Sequence, residues 1–141
     1  MWDSLVQHDS IESIVRDKGL SQIGDNLVNF CYSLAKSVAL GKASGEKVRD
    51  SVLARAIRAT SIYSHIKRRT DAGTAADAYE ALMAWLWMTG RLDIRFMVEF
   101  LSMHLDLDEK TNRKSEGAIA SLAFQKLLED VAPKLPSKDR L

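Results

Sequence analysis

Three acidic residues, Asp25, Asp77 and Glu80, stand at the edges of strongly apolar segments. An ionised side chain there is costly unless something positive compensates it. Asp25 lies in Ile23-Gly24-Asp25-Asn26-Leu27-Val28. Asp77 and Glu80 lie about fifty positions later, in Ala76-Asp77-Ala78-Tyr79-Glu80-Ala81-Leu82. On a helix, residues three apart share a face, so Asp77 and Glu80 point the same way; Ser21, Asp25 and Asn29, four apart, line one face of an earlier helix. Two helices packed about 8–10 Å apart bring these rows within reach of one ion. An all-oxygen pocket of this kind suits a hard divalent cation such as Mg²⁺ or Mn²⁺. Phosphodiester hydrolysis needs such a cluster, because the cation activates a water, neutralises the charge gathering at phosphorus and stabilises the leaving alkoxide. Carboxylates held together also repel one another, which raises their proton affinity until a cation arrives. The competing reading is plainer: an Asp near a helix N-terminus with a Glu three residues on often only complements the helix dipole.

The elements that must position these acids read as helices throughout. The chain has 141 residues, 46% apolar and 28% charged, with only Pro133 and Pro136 as prolines and no alternating apolar/polar runs. That pattern predicts an all-α fold of about six to seven helices without a β-sheet. The expected segments cover residues 10–18, 20–40, 46–59, 74–89, 93–105 and 115–131. In the second, Leu20, Ile23, Leu27, Phe30, Cys31, Leu34, Ala35 and Val38 keep the spacing of one buried stripe. The fourth, with Thr74 as its expected N-cap, is apolar nearly all round, Trp85 and Trp87 included, and belongs at the centre. Residues 63–73 lose periodicity and hold the basic loop Lys67-Arg68-Arg69. One domain over residues 1–132 with a flexible tail over 133–141 completes the expectation.

Composition narrows the function classes. Cys31 is the only cysteine, so an intramolecular disulfide and a thiolate zinc site are both excluded. The first residues lack a secretory pattern, and the longest apolar run, residues 81–88, is far too short to span a bilayer, so a cytoplasmic protein is expected. A net charge of +1 requires a nucleic-acid binder to gather its cations on one face. His8, His65 and His104 are scattered without ligand spacing. Asp106-Leu107-Asp108 fails as a calcium loop because Lys110 and Thr111 stand where an oxygen ligand and a glycine are needed.

With these residues in view, Ile-Gly-Asp-Asn-Leu-Val at 23–28 resembles the signature of ribonuclease III nuclease domains, in which Leu-Gly-Asp opens a helix and the Asp binds metal. Ala-Asp-Ala-Tyr-Glu-Ala at 76–81 resembles the second motif of that family, followed here as there by an apolar helix. Order, separation and the basic loop ahead of the second motif agree. The similarity covers residues 20–100, which leaves the last helix as an addition peculiar to this chain, close to short archaeal-type members.

The resemblance implies an all-helical nuclease domain that forms a homodimer and cuts double-stranded RNA with Mg²⁺ or Mn²⁺. Carried over by position, Asp25, Asp77 and Glu80 are metal ligands, and Asp25 and Glu80 carry the chemistry. Gly24 permits close packing beside Asp25, and Asn29 orients Asp25. Lys67, Arg68 and Arg69 contact RNA phosphates, a surface that Arg55 and Arg58 extend. The departures are specific. Lys18 and Ser21 replace the two glutamates of the family's first motif, so Ser21 falls where a fourth metal carboxylate would be; Gln22 stands at a position often aromatic at the dimer contact. Two alternatives follow: a catalytically weakened or inactive dimer that binds RNA as a scaffold, and a helical nucleoside-triphosphate pyrophosphohydrolase, for which the second helix carries too few acids.

Overall fold

The computed structural model describes residues 1–66 and 70–137. Six α-helices follow in chain order: α1 Ile11–Val15, α2 Lys18–Leu40, α3 Asp50–Arg58, α4 Ala72–Met88, α5 Ile94–Met103 and α6 Arg113–Val131, with short 3-10 turns at Asp3–Leu5, Ser61–His65 and Ala132–Lys134. No strand occurs among the described residues.

Helix α4 is the hub, as its all-round apolar pattern predicts. α1, α2 and α3 pack directly on it, and twelve of its residues are buried, from Ala75 to Met88. Polar groups inside are paired. Tyr79 donates its hydroxyl to the Phe124 carbonyl on α6 (2.7 Å), and the Trp85 indole donates to the Val6 carbonyl of the N-terminal segment (3.0 Å). Trp85 is buried and Trp87 partly so, stacked against Trp2. Cys31 is fully buried beside Met97, and burial pushes its thiol up to about 12.

Helix ends differ from the sequence expectation in ways that side-chain hydrogen bonds explain. Asp71, not Thr74, caps α4: its Oδ1 accepts from the Thr74 backbone N–H (2.7 Å). α2 starts at Lys18 because Asp17 accepts from the Leu20 N–H (3.1 Å) and is itself held by His8 (2.9 Å). The third helix is expected to begin at 46, but residues 42–49 are non-helical. Three side chains of α2 claim that backbone: Ser37 bonds Ser44, Ser33 bonds Glu46, and Asn29 accepts from the Val48 N–H. The helix begins only at Asp50.

Four members of the expected stripe on α2 are not core. Ile23, Phe30, Leu34 and Val38 are 39%, 54%, 38% and 63% exposed, whereas Leu20, Leu27, Cys31 and Ala35 are buried. A helix of 23 residues with apolar positions on two faces can turn only one of them toward α4. At the other end of the chain, Ala132–Lys134 makes a 3-10 turn and Leu135 is buried, while residues 138–141 of the expected tail lie outside the described residues.

At Gly24, α2 and α4 are in backbone contact. A Cβ built on Gly24 would sit 1.9 Å from the Glu80 carbonyl oxygen and 2.9 Å from the Glu80 Cα. Only hydrogen fits there, and neither partner is a side chain that can swing away. We expect Gly24→Ala to force the helices apart and cost about 3 kcal/mol, read as a lowered midpoint in thermal unfolding. A variant that melts with the wild type would show that the crossing is not tight.

Candidate functional site

The crossing at Gly24 sets the site, because it drives the acid-bearing turns of α2 and α4 against each other. A cavity of about 360 Å³ opens beside it, lined by Ser21, Gln22, Asp25 and Asn26 of α2, Asp77 and Glu80 of α4, and Asp50 at the start of α3. The three acids singled out from sequence thus border one space, together with Ser21.

Their environments differ. Glu80 is only 4% exposed, while Asp25 lies on the solvent side and Asp77 is half-exposed. Burial first, then a hydrogen bond shared with Asp25 and the charges of Asp25, Asp77 and Asp50, push the Glu80 carboxyl up to about 9. At neutral pH it therefore holds its proton and presents it to Asp25. Asp25 is held from the other side, since Asn29 Nδ2 donates to Asp25 Oδ1 (3.1 Å) while Asn29 Oδ1 anchors the Val48 backbone (2.7 Å). Asp77 pairs with Lys18 at 3.2 Å. Ser21 is buried and donates its hydroxyl to the Lys18 carbonyl (2.9 Å), which commits its proton to the backbone.

Asp50 is the residue that sequence reasoning missed. Placing the third helix from 46 puts it in an inner turn; only the true start at Asp50 aims that first turn at α4, where its Oδ2 would lie 3.8 Å from a Cβ on Gly73. The donor set is all oxygen and mostly anionic, the chemistry that holds a hard divalent cation. Among the described residues, however, no group of three His, Cys, Asp or Glu side chains stands in ligating geometry. Glu80 and Asp25 are joined by their shared hydrogen bond, while Lys18 holds Asp77 in a separate ion pair.

Of the expected RNA contacts, Lys67, Arg68 and Arg69 lie outside the described residues. Their flanking residues Ile66 and Thr70 line a larger cavity of about 710 Å³, which shares Ser21 and Asp77 with the acidic one. Arg58 donates to the Thr70 carbonyl (2.7 Å) and so ties α3 to the end of that loop. Arg55 opens instead toward α6.

Residues 18–137 match the family model of ribonuclease III. The chain belongs to the ribonuclease III family. The match starts at the first residue of α2 and continues through α6, so the last helix is part of the ribonuclease III domain and not an addition to it. No curated protein sequence matches the chain significantly. Members of this family act on double-stranded RNA and generally depend on divalent metals. In this ribonuclease III domain, no helix among the described residues is long and apolar enough to cross a membrane.

The buried acid makes stability respond to pH. Between about 4.5, its ordinary value, and about 9, the folded chain keeps a proton on Glu80 that the unfolded chain has released. Stability therefore falls as pH rises through that window. In chelator, Glu80→Gln should remove the fall and stabilise the protein at pH 8 by a few kcal/mol, since each tenfold change in proton affinity corresponds to about 1.4 kcal/mol. Parallel unfolding curves from pH 5 to pH 9 for both proteins check this; identical pH dependence would mean that Glu80 is ionised in the fold.

Proposed function

We propose that this chain is a metal-dependent endoribonuclease that hydrolyses phosphodiester bonds in double-stranded or structured RNA. The observation that carries the reading is the single cavity bordered by Asp25, Asp77 and the buried Glu80, in a chain whose family acts on double-stranded RNA. Asp25, Asp77 and Glu80 would hold Mg²⁺ or Mn²⁺, which supplies a Lewis acid for water activation and for the charge developing on the phosphate.

The chain's own residues set the conditions for that chemistry. Gly24 brings the Glu80 backbone to α2, so that Glu80 and Asp25 share a hydrogen bond. Asn29 fixes Asp25 by one bond and the loop ahead of α3 by another, so the carboxylate is oriented by structure on both sides. Glu80 keeps a proton in the absence of a nearby cation and gives it up when positive charge enters, which makes cation uptake release a proton. Lys18 holds Asp77 by a single exposed contact that costs little to break.

The outer face of α2 suggests the assembly. Ile23, Phe30, Leu34 and Val38 form an exposed apolar stripe along a helix that also carries Asp25, and a homodimer through this face would bury it. A cytoplasmic protein of this kind would meet its RNA in a reducing compartment, where Cys31 stays free.

A second reading is favoured by one observation. Ser21 supplies no carboxylate and Asp77 is paired with Lys18, so the chain could bind duplex RNA as a dimer with little or no cleavage. The two readings part in a gel assay of purified protein on long duplex RNA with Mg²⁺, Mn²⁺ or chelator. Cation-dependent cutting is expected, with Asp25→Asn and Glu80→Gln each lowering the rate by about a hundredfold or more while the fold is retained. Undiminished cutting by either variant refutes the assignment. Binding without cutting, together with cutting gained in Ser21→Glu, establishes the second reading. For the assembly, Phe30→Glu and Val38→Glu should each convert a dimer to monomer in sedimentation velocity; a wild-type monomer at high concentration would end the dimer proposal.

A further inference from the structure

Four cations gather where α3 passes the start of α6. Arg49 and Arg55 from the α3 side and Arg113 and Lys114 from the first two positions of α6 line a cleft of about 450 Å³ whose lining contains no carboxylate. All four are exposed, and among the described residues none lies within ion-pairing distance of an acid. In a chain of net charge +1, such a patch is a local excess that the total conceals.

Two details show that this is more than a solvated face. Arg49 is held in place: its Nη2 donates to the Arg113 carbonyl (3.3 Å) and lies 2.6 Å from where a Cβ on Gly117 would be, so the guanidinium rests on bare helix backbone. Arg113 and Lys114 occupy the N-terminal end of a 19-residue helix, where the dipole disfavours positive charge. The two acids that line the adjoining cavity with Arg49 and Arg113, Glu46 and Glu116, are both bonded to Lys36, and Glu116 also accepts from the Tyr32 hydroxyl. Four exposed cations without an ion-paired acid, two of them placed where they cost helix stability, fit an external polyanion.

The position of the cleft identifies that polyanion. Arg49 adjoins Asp50, which lines the acidic cavity, and Arg55 lies five residues beyond Asp50, about 7.5 Å along α3. Phosphates in the cleft would thus lie against the start of the helix whose first residue, Asp50, lines the acidic cavity. We infer that the cleft between α3 and α6 is a phosphate-backbone track for double-stranded RNA, with Arg49, Arg55, Arg113 and Lys114 as its contacts. This rests on the nuclease reading and extends it by cations other than Lys67, Arg68 and Arg69. Phosphate contacts of this type position the duplex without reading its sequence.

The test is fluorescence anisotropy with a labelled RNA duplex in chelator, so that binding is measured without cleavage. Arg113→Gln with Lys114→Gln, and separately Arg55→Gln, should weaken binding at low salt, the double variant at least tenfold. The slope of log affinity against log salt should fall by about one for each cation removed. Lys126→Gln, an exposed cation further along α6, should leave both unchanged. The double variant should melt no lower than wild type, since it removes charge that the α6 dipole opposes, so weaker binding could not be ascribed to unfolding. Wild-type affinity and salt slope in the cleft variants would overturn the track while leaving the nuclease reading intact. A loss of the same size in Lys126→Gln would also overturn it, by reducing the effect to net charge. Failure of the wild type both to bind and to cut duplex RNA would remove the nuclease reading, and the track with it.

Discussion

The structure is organised around a contact that only glycine permits. At Gly24 the backbone of α2 meets the backbone of α4 at Glu80, with no side chain between them. Two helices that approach so closely cannot slide or rotate without collision, so their register is set at this point. Everything chemically interesting is then a matter of one turn on either side: Ser21 and Asp25 on α2, Asp77 and Glu80 on α4. The same approach buries Glu80, since the space a solvent layer would occupy is taken by helix backbone.

That burial is unfavourable by itself, and the surroundings make it more so. Three other carboxylates, Asp25, Asp50 and Asp77, line the cavity, and Lys18 pairs with Asp77. The fold tolerates this because the rest of α4 is wrapped in apolar contacts from α1, α2 and α3, with its internal polar groups satisfied. A second electrostatic strain sits at the start of α6, where two cations oppose the helix dipole. The two strains have opposite sign and flank the same end of α3. A molecule with an anionic backbone and its accompanying cations would relieve both at once.

The sequence signals differed in how much they could reveal. The central helix was plain from residues 75–88, because a run apolar on every side can only be buried. The motif acids were visible because an acid among apolar residues is a costly choice that invites an explanation. The non-helical stretch 42–49 is not legible in the sequence. It depends on Asn29, Ser33 and Ser37 reaching across from α2, and a propensity argument for one segment does not see hydrogen bonds offered by another. Asp50 was missed for the same reason, since its place in the cavity follows from where that stretch ends. The spacing of the apolar stripe on α2 predicts core throughout, yet half of it faces outward; periodicity identifies apolar faces but does not say which of them another helix covers.

Local patterning by itself determined that this chain is helical, which helix lies at its centre, and which acids stand out, because these follow from side-chain chemistry at fixed helical spacing. Only the tertiary structure decided that Gly24 seats against Glu80, that Asp50 joins the cavity, and that four separate cations form one cleft with α6. Each of these is a meeting between residues far apart in the chain. Such meetings are set by backbone clearance and by bonds between elements, which the spacing within one helix does not encode.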